Sequence, residues 1–156
     1  TDTEANLLWA EEALHFHAKT TLITASAKDV AEKIPPSSVD LLITEPYLGR
    51  PRRGSENKNE IVETIDYLTR LYEESFDALK KVLKPGARMV IASPVHLFED
   101  KFFPVPTEKI MKSLGYTPLP FITNTQDAIN GVSTPQNLFY HHEGQYVGRE
   151  LLRFTI

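Results

Sequence analysis

The chain has 156 residues, 41% of them hydrophobic, a formal net charge of −4 at pH 7 and no cysteine. That length supports one domain with a real core, read as a single, partial catalytic domain over residues 1–156, and a second independent domain is not expected in it. The acidic balance argues against a surface given over wholly to nucleic acid, and the lack of cysteine excludes disulfides, thiolate zinc sites and thiol nucleophiles.

No apolar run reaches membrane-span length, and the start Thr1-Asp2-Thr3-Glu4 is unlike a signal peptide, so a soluble, cytoplasmic protein is expected. Residues 3–16 open on a hydroxyl residue and place Leu7, Trp9, Ala10, Ala13 and Leu14 at mixed helical spacing, which predicts a helix. The β-branched run 20–24 predicts a short strand, and residues 27–34 a short helix stopped by Pro35-Pro36. The apolar run Val39-Asp40-Leu41-Leu42-Ile43-Thr44 predicts a strand buried on both faces of a parallel sheet.

Residues 49–59 are polar, without periodicity, and read as an exposed loop. Beyond them Ile61, Ile65, Leu68, Tyr72, Phe76, Leu79 and Leu83 recur at steps of three and four, predicting a long amphipathic helix ended by Pro85-Gly86. Residues 88–93 predict a buried strand and 107–114 a helix closed by Gly115. Residues 116–123 contain two prolines and suit a strand at the sheet margin. Residues 137–141 and 145–154 flank His142-Glu143-Gly144 and predict an antiparallel hairpin. The alternation of strands and helices gives an α/β fold with a mixed edge.

In open α/β sheets, ligands bind beyond the carboxyl ends of the strands. Thr44-Glu45-Pro46-Tyr47-Leu48-Gly49 follows such a strand and combines a carboxylate, a ring-fixed backbone and an aromatic. Those parts can stack a flat base and accept hydrogen bonds from its amino group; equally, they can be a strand-to-loop turn stiffened by proline. Arg50, Arg52, Arg53 and Lys58 follow in the loop, where they could hold a phosphate backbone or simply be solvated. His141-His142 is a poor metal pair, since neighbouring strand residues point to opposite faces, and no metal is expected. His15 and His17 read as helix-end residues, and His96 as a residue near the pocket without a nameable partner.

Residues 39–49 resemble the fourth motif of amino-group methyltransferases, an acidic or amide residue, two prolines and an aromatic. The junction Leu83-Lys84-Pro85-Gly86-Ala87-Arg88 resembles that superfamily's helix-to-strand passage. The tail Glu143-Gly144-Gln145-Tyr146-Val147-Gly148-Arg149-Glu150 is similar to the final hairpin of archaeal-type tRNA guanosine N2-methyltransferases. The resemblance implies a Rossmann-like methyltransferase sheet, mostly parallel with a C-terminal antiparallel hairpin. It also implies transfer of a methyl group from S-adenosylmethionine to an exocyclic base amine, with guanosine N2 in tRNA the first substrate and DNA adenine or cytosine the alternative.

Aligned on Val39 and Asp40, Glu45 takes the family's acidic position, Pro46 the first proline, Tyr47 the second proline and Leu48 the aromatic. On that register Glu45, Pro46 and Tyr47 are the candidate catalytic residues. Asp2, ahead of the first helix, falls where the family holds the cofactor ribose, although it could equally cap that helix; Ser26 and Ala27 fall where the adenine is contacted. The family's glycine-rich first motif has no counterpart, so its first strand, central in the sheet, is expected to be missing. A longer chain, a partner chain or oligomer, or movement of strand 20–24 beside residues 39–44 would fill the gap. A non-catalytic partner subunit that kept the fold is the reading from a different class.

Overall fold

The computed structural model describes residues 1–15, 17–121 and 137–156. Helix α1 (Asp2–Leu14) begins with a capping box in which the Thr1 hydroxyl accepts from the Glu4 backbone N–H and the Glu4 carboxylate accepts from the Thr1 amino group. The predicted helix 3–16 thus starts one residue earlier, with Asp2 inside its first turn; Phe16 lies outside the described residues. None of the residues of α1 is buried. Its apolar side chains are scattered around the axis and offer no single stripe to a core.

Residues 20–24 form no strand, which corrects the expectation from composition. β-Branched residues favour a strand only where a neighbour takes up the backbone groups, and this exposed segment pairs with no strand among the described residues. Residues 27–34 form a 3-10 helix over Ala27–Glu32, with the Ser26 hydroxyl accepting the Lys28 N–H at 3.3 Å. Strand β1 (Val39–Thr44) follows, then helix α2 (Lys58–Lys80) and strand β2 (Leu83–Phe98).

Helix α2 is set by its sequence at both levels. Asn57 accepts from the N–H groups of Asn59 and Glu60, and the Glu60 carboxylate accepts from Asn57 N–H, closing a second capping box. Its apolar stripe buries Ile61, Leu68, Tyr72 and Phe76. The helix ends at Lys80 and not at Pro85-Gly86, because Leu83 already pairs with Val39 and the Gly86 N–H donates to the carbonyl of Ile156. Gly86, at φ 78°, turns the backbone within β2 where a side chain would be strained.

Strand β3 (Lys101–Pro104) hairpins onto the far end of β2, a pairing that no sequence signal announced. Helix α3 (Thr107–Ser113) is followed by Gly115 at φ 86°, and strand β4 (Thr117–Leu119) pairs with β6 at the sheet margin. Residues 122 and 123 of the predicted marginal strand lie outside the described residues. Strands β5 (Asn137–Tyr140) and β6 (Val147–Thr155) form the expected antiparallel hairpin.

The sheet runs β1-β2-β6-β4, with β3 also on β2 and β5 also on β6. Among the described strands only β1 with β2 is a parallel pair. The expected mostly parallel sheet is therefore a mixed one, because β6 returns antiparallel along β2 and takes the position next to it. Helices α2 and α3 pack on one face, where Leu68, Tyr72, Phe76, Ile110 and Met111 meet Met89, Ile91, Leu152 and Phe154.

The other face is uncovered among the described residues, which corrects the expectation that strand 39–44 is buried on both sides. Strand alternation sends Leu41 and Ile43 there, and Ile43 is 71% exposed. Strand β1 is the edge of the sheet, with neither residues 20–24 nor any other described segment on its outer side. No helix among the described residues is long and apolar enough to cross a membrane.

Candidate functional site at the carboxyl end of β1

The chain leaves β1 at Thr44 and crosses to α2 through residues 45–57. Beyond that strand end the edge of β2 that carried β1 has no strand among the described residues until β3 joins it at Val95, while β6 stays paired on the other edge. The result is a notch beside Glu45-Pro46-Tyr47. A cleft of about 250 Å3 opens between this turn, residues 26–27 and α2, lined by Ser26, Ala27, Thr44, Pro46, Tyr47 and Tyr72 among others.

Tyr72 fixes one wall. Its hydroxyl donates to the Tyr47 carbonyl at 2.9 Å. Burial, with the charge of Glu45 adding to it, pushes the Tyr72 phenol well above its usual range, so it remains a neutral donor. The Tyr47 ring is half exposed and meets Tyr67 edge-on at 6.5 Å. One face of an aromatic is thereby left at the mouth of the cleft, where a flat ligand can stack.

Ser26 and Ala27, predicted to contact adenine, do share this cleft with Pro46 and Tyr47. Asp2 does not line it: Thr1 is the cap of α1 and Asp2 an exposed residue of its first turn. Glu45 stands beside the cleft without lining it, its Oε1 accepting from Nε of Arg149 on β6 at 2.8 Å. Arg149 shares the uncovered face with Leu151 and Arg153 by alternation.

The three loop arginines separate. Arg50 and Arg53 are exposed, as a phosphate-binding role requires. Arg52 differs from them: its side chain is only 7% exposed and is built into the fold. Its Nη1 donates to the carbonyls of Leu97 and Tyr146, its guanidinium stands 5.3 Å from the centre of the Tyr146 ring, and Glu56 pairs with it at 3.5 Å. A planar fork with several donors suits pinning two chain segments at once, and sequence position alone could not tell it from its neighbours. Glu56 also accepts from the N–H groups of Arg53 and Gly54, and these bonds, the Arg53 one first, hold its carboxyl below the usual range.

His96 lies under this loop, fully buried, with neither ring nitrogen hydrogen-bonded among the described residues. Burial, and secondarily the nearby charge of Arg52, pushes its imidazole down to about 4. It is neutral at pH 7. A Cβ placed on Gly49 would meet Thr64 Cγ2 at 3.0 Å and His96 Cε1 at 3.6 Å, and Gly49 has φ 98°, so only glycine lets the loop lie this close.

The residues that sequence reasoning missed are Tyr72, Arg149 and the structural part of Arg52. Tyr72 looked like a plain member of the helix stripe, and Arg149 was visible only as part of a family-like tail. His141 and His142 face different partners, the Gln145 carbonyl and the Tyr140 hydroxyl.

The chain matches no family model, and no curated protein matches it by sequence. Among solved structures it is similar to a protein of Thermus thermophilus described as a candidate DNA modification methylase. The selenomethionine form gives a TM-score of 0.49 at 19% identity over 85% of this chain and 52% of that one. A second structure of the same protein gives 0.47 at 18% identity over 84% and 52%. A third, complexed with S-adenosyl-L-methionine, gives 0.44 at 18% identity over 85% and 51%. The chain thus spans about half the length of these structures.

Proposed function

We propose that this chain carries the base-presenting part of an S-adenosylmethionine-dependent methyltransferase that modifies an exocyclic amine of a nucleic-acid base, with guanosine N2 in tRNA as the substrate. One observation carries the reading. The cleft at the carboxyl end of β1 brings Ser26 and Ala27, from one sequence segment, against Pro46 and Tyr47, from the motif 20 residues on.

The cleft fits part of the cofactor. At about 250 Å3 it is below the about 300–1,000 Å3 of small-molecule sites, and suits a flat ring such as adenine between Ala27 and Pro46. Ser26 and Thr44 offer hydroxyls at its rim. When bound, S-adenosylmethionine supplies an electrophilic methyl group. The chain's own residues would do the rest: Tyr47 stacks the target base, and the Glu45 carboxylate with the Pro46 carbonyl accepts hydrogen bonds from its amine, directing the lone pair. Arg50 and Arg53 would bear on the phosphates.

Calorimetric titration with S-adenosylmethionine tests the cofactor half: binding is expected in the micromolar range, abolished by Ala27→Phe, which fills the cleft. Methyl transfer from labelled cofactor to tRNA and to duplex DNA tests the substrate half. Label in N2-methylguanosine supports the reading, label in DNA adenine or cytosine moves the substrate to DNA, and no cofactor binding leaves a non-catalytic partner.

A further inference from the structure

We infer that Arg149 is a positioning residue that holds Glu45 as the acceptor of the base amine, an inference that rests on the reading of residues 45–47 just given. Glu45 and Arg149 are 104 positions apart and meet at 2.8 Å through a single oxygen, Oε1. The other oxygen, Oε2, has no hydrogen-bond partner among the described residues and is left to a ligand. A carboxylate on a loop would otherwise sample many rotamers, and an acceptor acts on a reacting amine only when held in line with it.

Arg149 is itself held. Its Nη1 donates to the carbonyl of Val147 at 2.7 Å, leaving Nε directed at β1. Its backbone stands opposite Pro94 on β2 and Tyr140 on β5. The preceding glycine makes that register possible: a Cβ on Gly148 would lie 3.0 Å from the Phe139 ring and 3.0 Å from the Tyr140 carbonyl. The Gly148-Arg149 pair of the family-like tail therefore has a physical account. Glycine lets β5 close on β6, and the closed hairpin aims the arginine at the carboxylate across β2.

The pair is half exposed on the Glu45 side, where ion pairs add little to stability. The inference therefore requires a rate effect without a stability effect. Methyl transfer to a tRNA transcript is measured for the wild type, Arg149→Gln and Arg149→Lys, together with urea midpoints. Arg149→Gln is expected to lower kcat about tenfold or more at an unchanged KM for S-adenosylmethionine and a nearly unchanged midpoint, with Arg149→Lys recovering part of the loss.

Unchanged kcat in Arg149→Gln overturns the inference. So does a raised kcat, which would make the arginine a mask over Glu45. Nitrogen-15 NMR of the Arg149 Nε–H group supplies a readout free of activity: the signal is expected to shift in Glu45→Gln. If the wild type methylates neither tRNA nor DNA, the functional reading fails. The Arg149 link is then decided by that signal, and one that does not move overturns it.

Discussion

Replacement of His96 by leucine should remove an acid sensitivity built into the fold. The imidazole is fully buried without a hydrogen-bond partner among the described residues, and titrates near 4 in the native state against 6.5 in an unfolded chain. The unfolded chain therefore takes up the proton first, and stability falls as pH drops from 6.5 towards 4. Taking those two values, the loss is about 2 kcal/mol between pH 7 and pH 5 and about 3 kcal/mol by pH 4. For a chain of this size the first figure corresponds to a Tm decrease of about 4–8 °C. Urea denaturation of wild type and His96→Leu at pH 7, 6 and 5 measures it. The two proteins share every other titratable group, so the difference between the two curves belongs to His96. Leucine is close to histidine in size, and its introduction also removes two unpaired nitrogens. Parallel loss of stability in the two proteins would refute the reasoning.

Arg52→Ala, which frees the carbonyls of Leu97 and Tyr146 from a nearly buried guanidinium, should cost about 2 kcal/mol in urea denaturation. Arg53→Ala should instead leave stability unchanged and lower the salt slope of nucleic-acid binding by about 1, read from affinities at several ionic strengths. Gly54→Ala forces a side chain at φ 83° and places its Cβ on the Tyr146 hydroxyl, so it should lower stability by about 1–2 kcal/mol on the same assay. Tyr72→Phe removes the bond to the Tyr47 carbonyl and should cost about 1 kcal/mol while weakening whatever ligand the cleft takes.

Local signals in the chain were enough for α2, whose Asn57-to-Glu60 capping box and stripe from Ile61 to Phe76 act within a few turns. The same holds for the hairpin of β5 and β6, where turn chemistry and alternation are local, and for strand β1, at whose end the candidate site lies. Residues 20–24 show the limit of such signals. Their composition suits a strand, but a strand exists only if a neighbour pairs with it, and that neighbour is a fact of the whole sheet.

Residues 39–44 are the counterpart case: an apolar run predicted burial on both faces, whereas among the described residues α2 and α3 pack on one side and Ile43 is exposed on the other. The arginines make the point at the level of single side chains. Arg50, Arg52 and Arg53 are equivalent by position and composition, yet the approach of Leu97 and Tyr146, 45 and 94 residues away, draws Arg52 inward and leaves the others in solvent. Glu45 was legible as a carboxylate at a strand end. Its partner Arg149 was not, because nothing in sequence spacing records that β6 lies beside β2 within reach of β1. What the sequence determined by itself is the elements whose signals are local, α2 and the β5–β6 hairpin among them; the tertiary structure alone decided which marginal segments pair, the strand order, and with it which charged groups face each other and which face water.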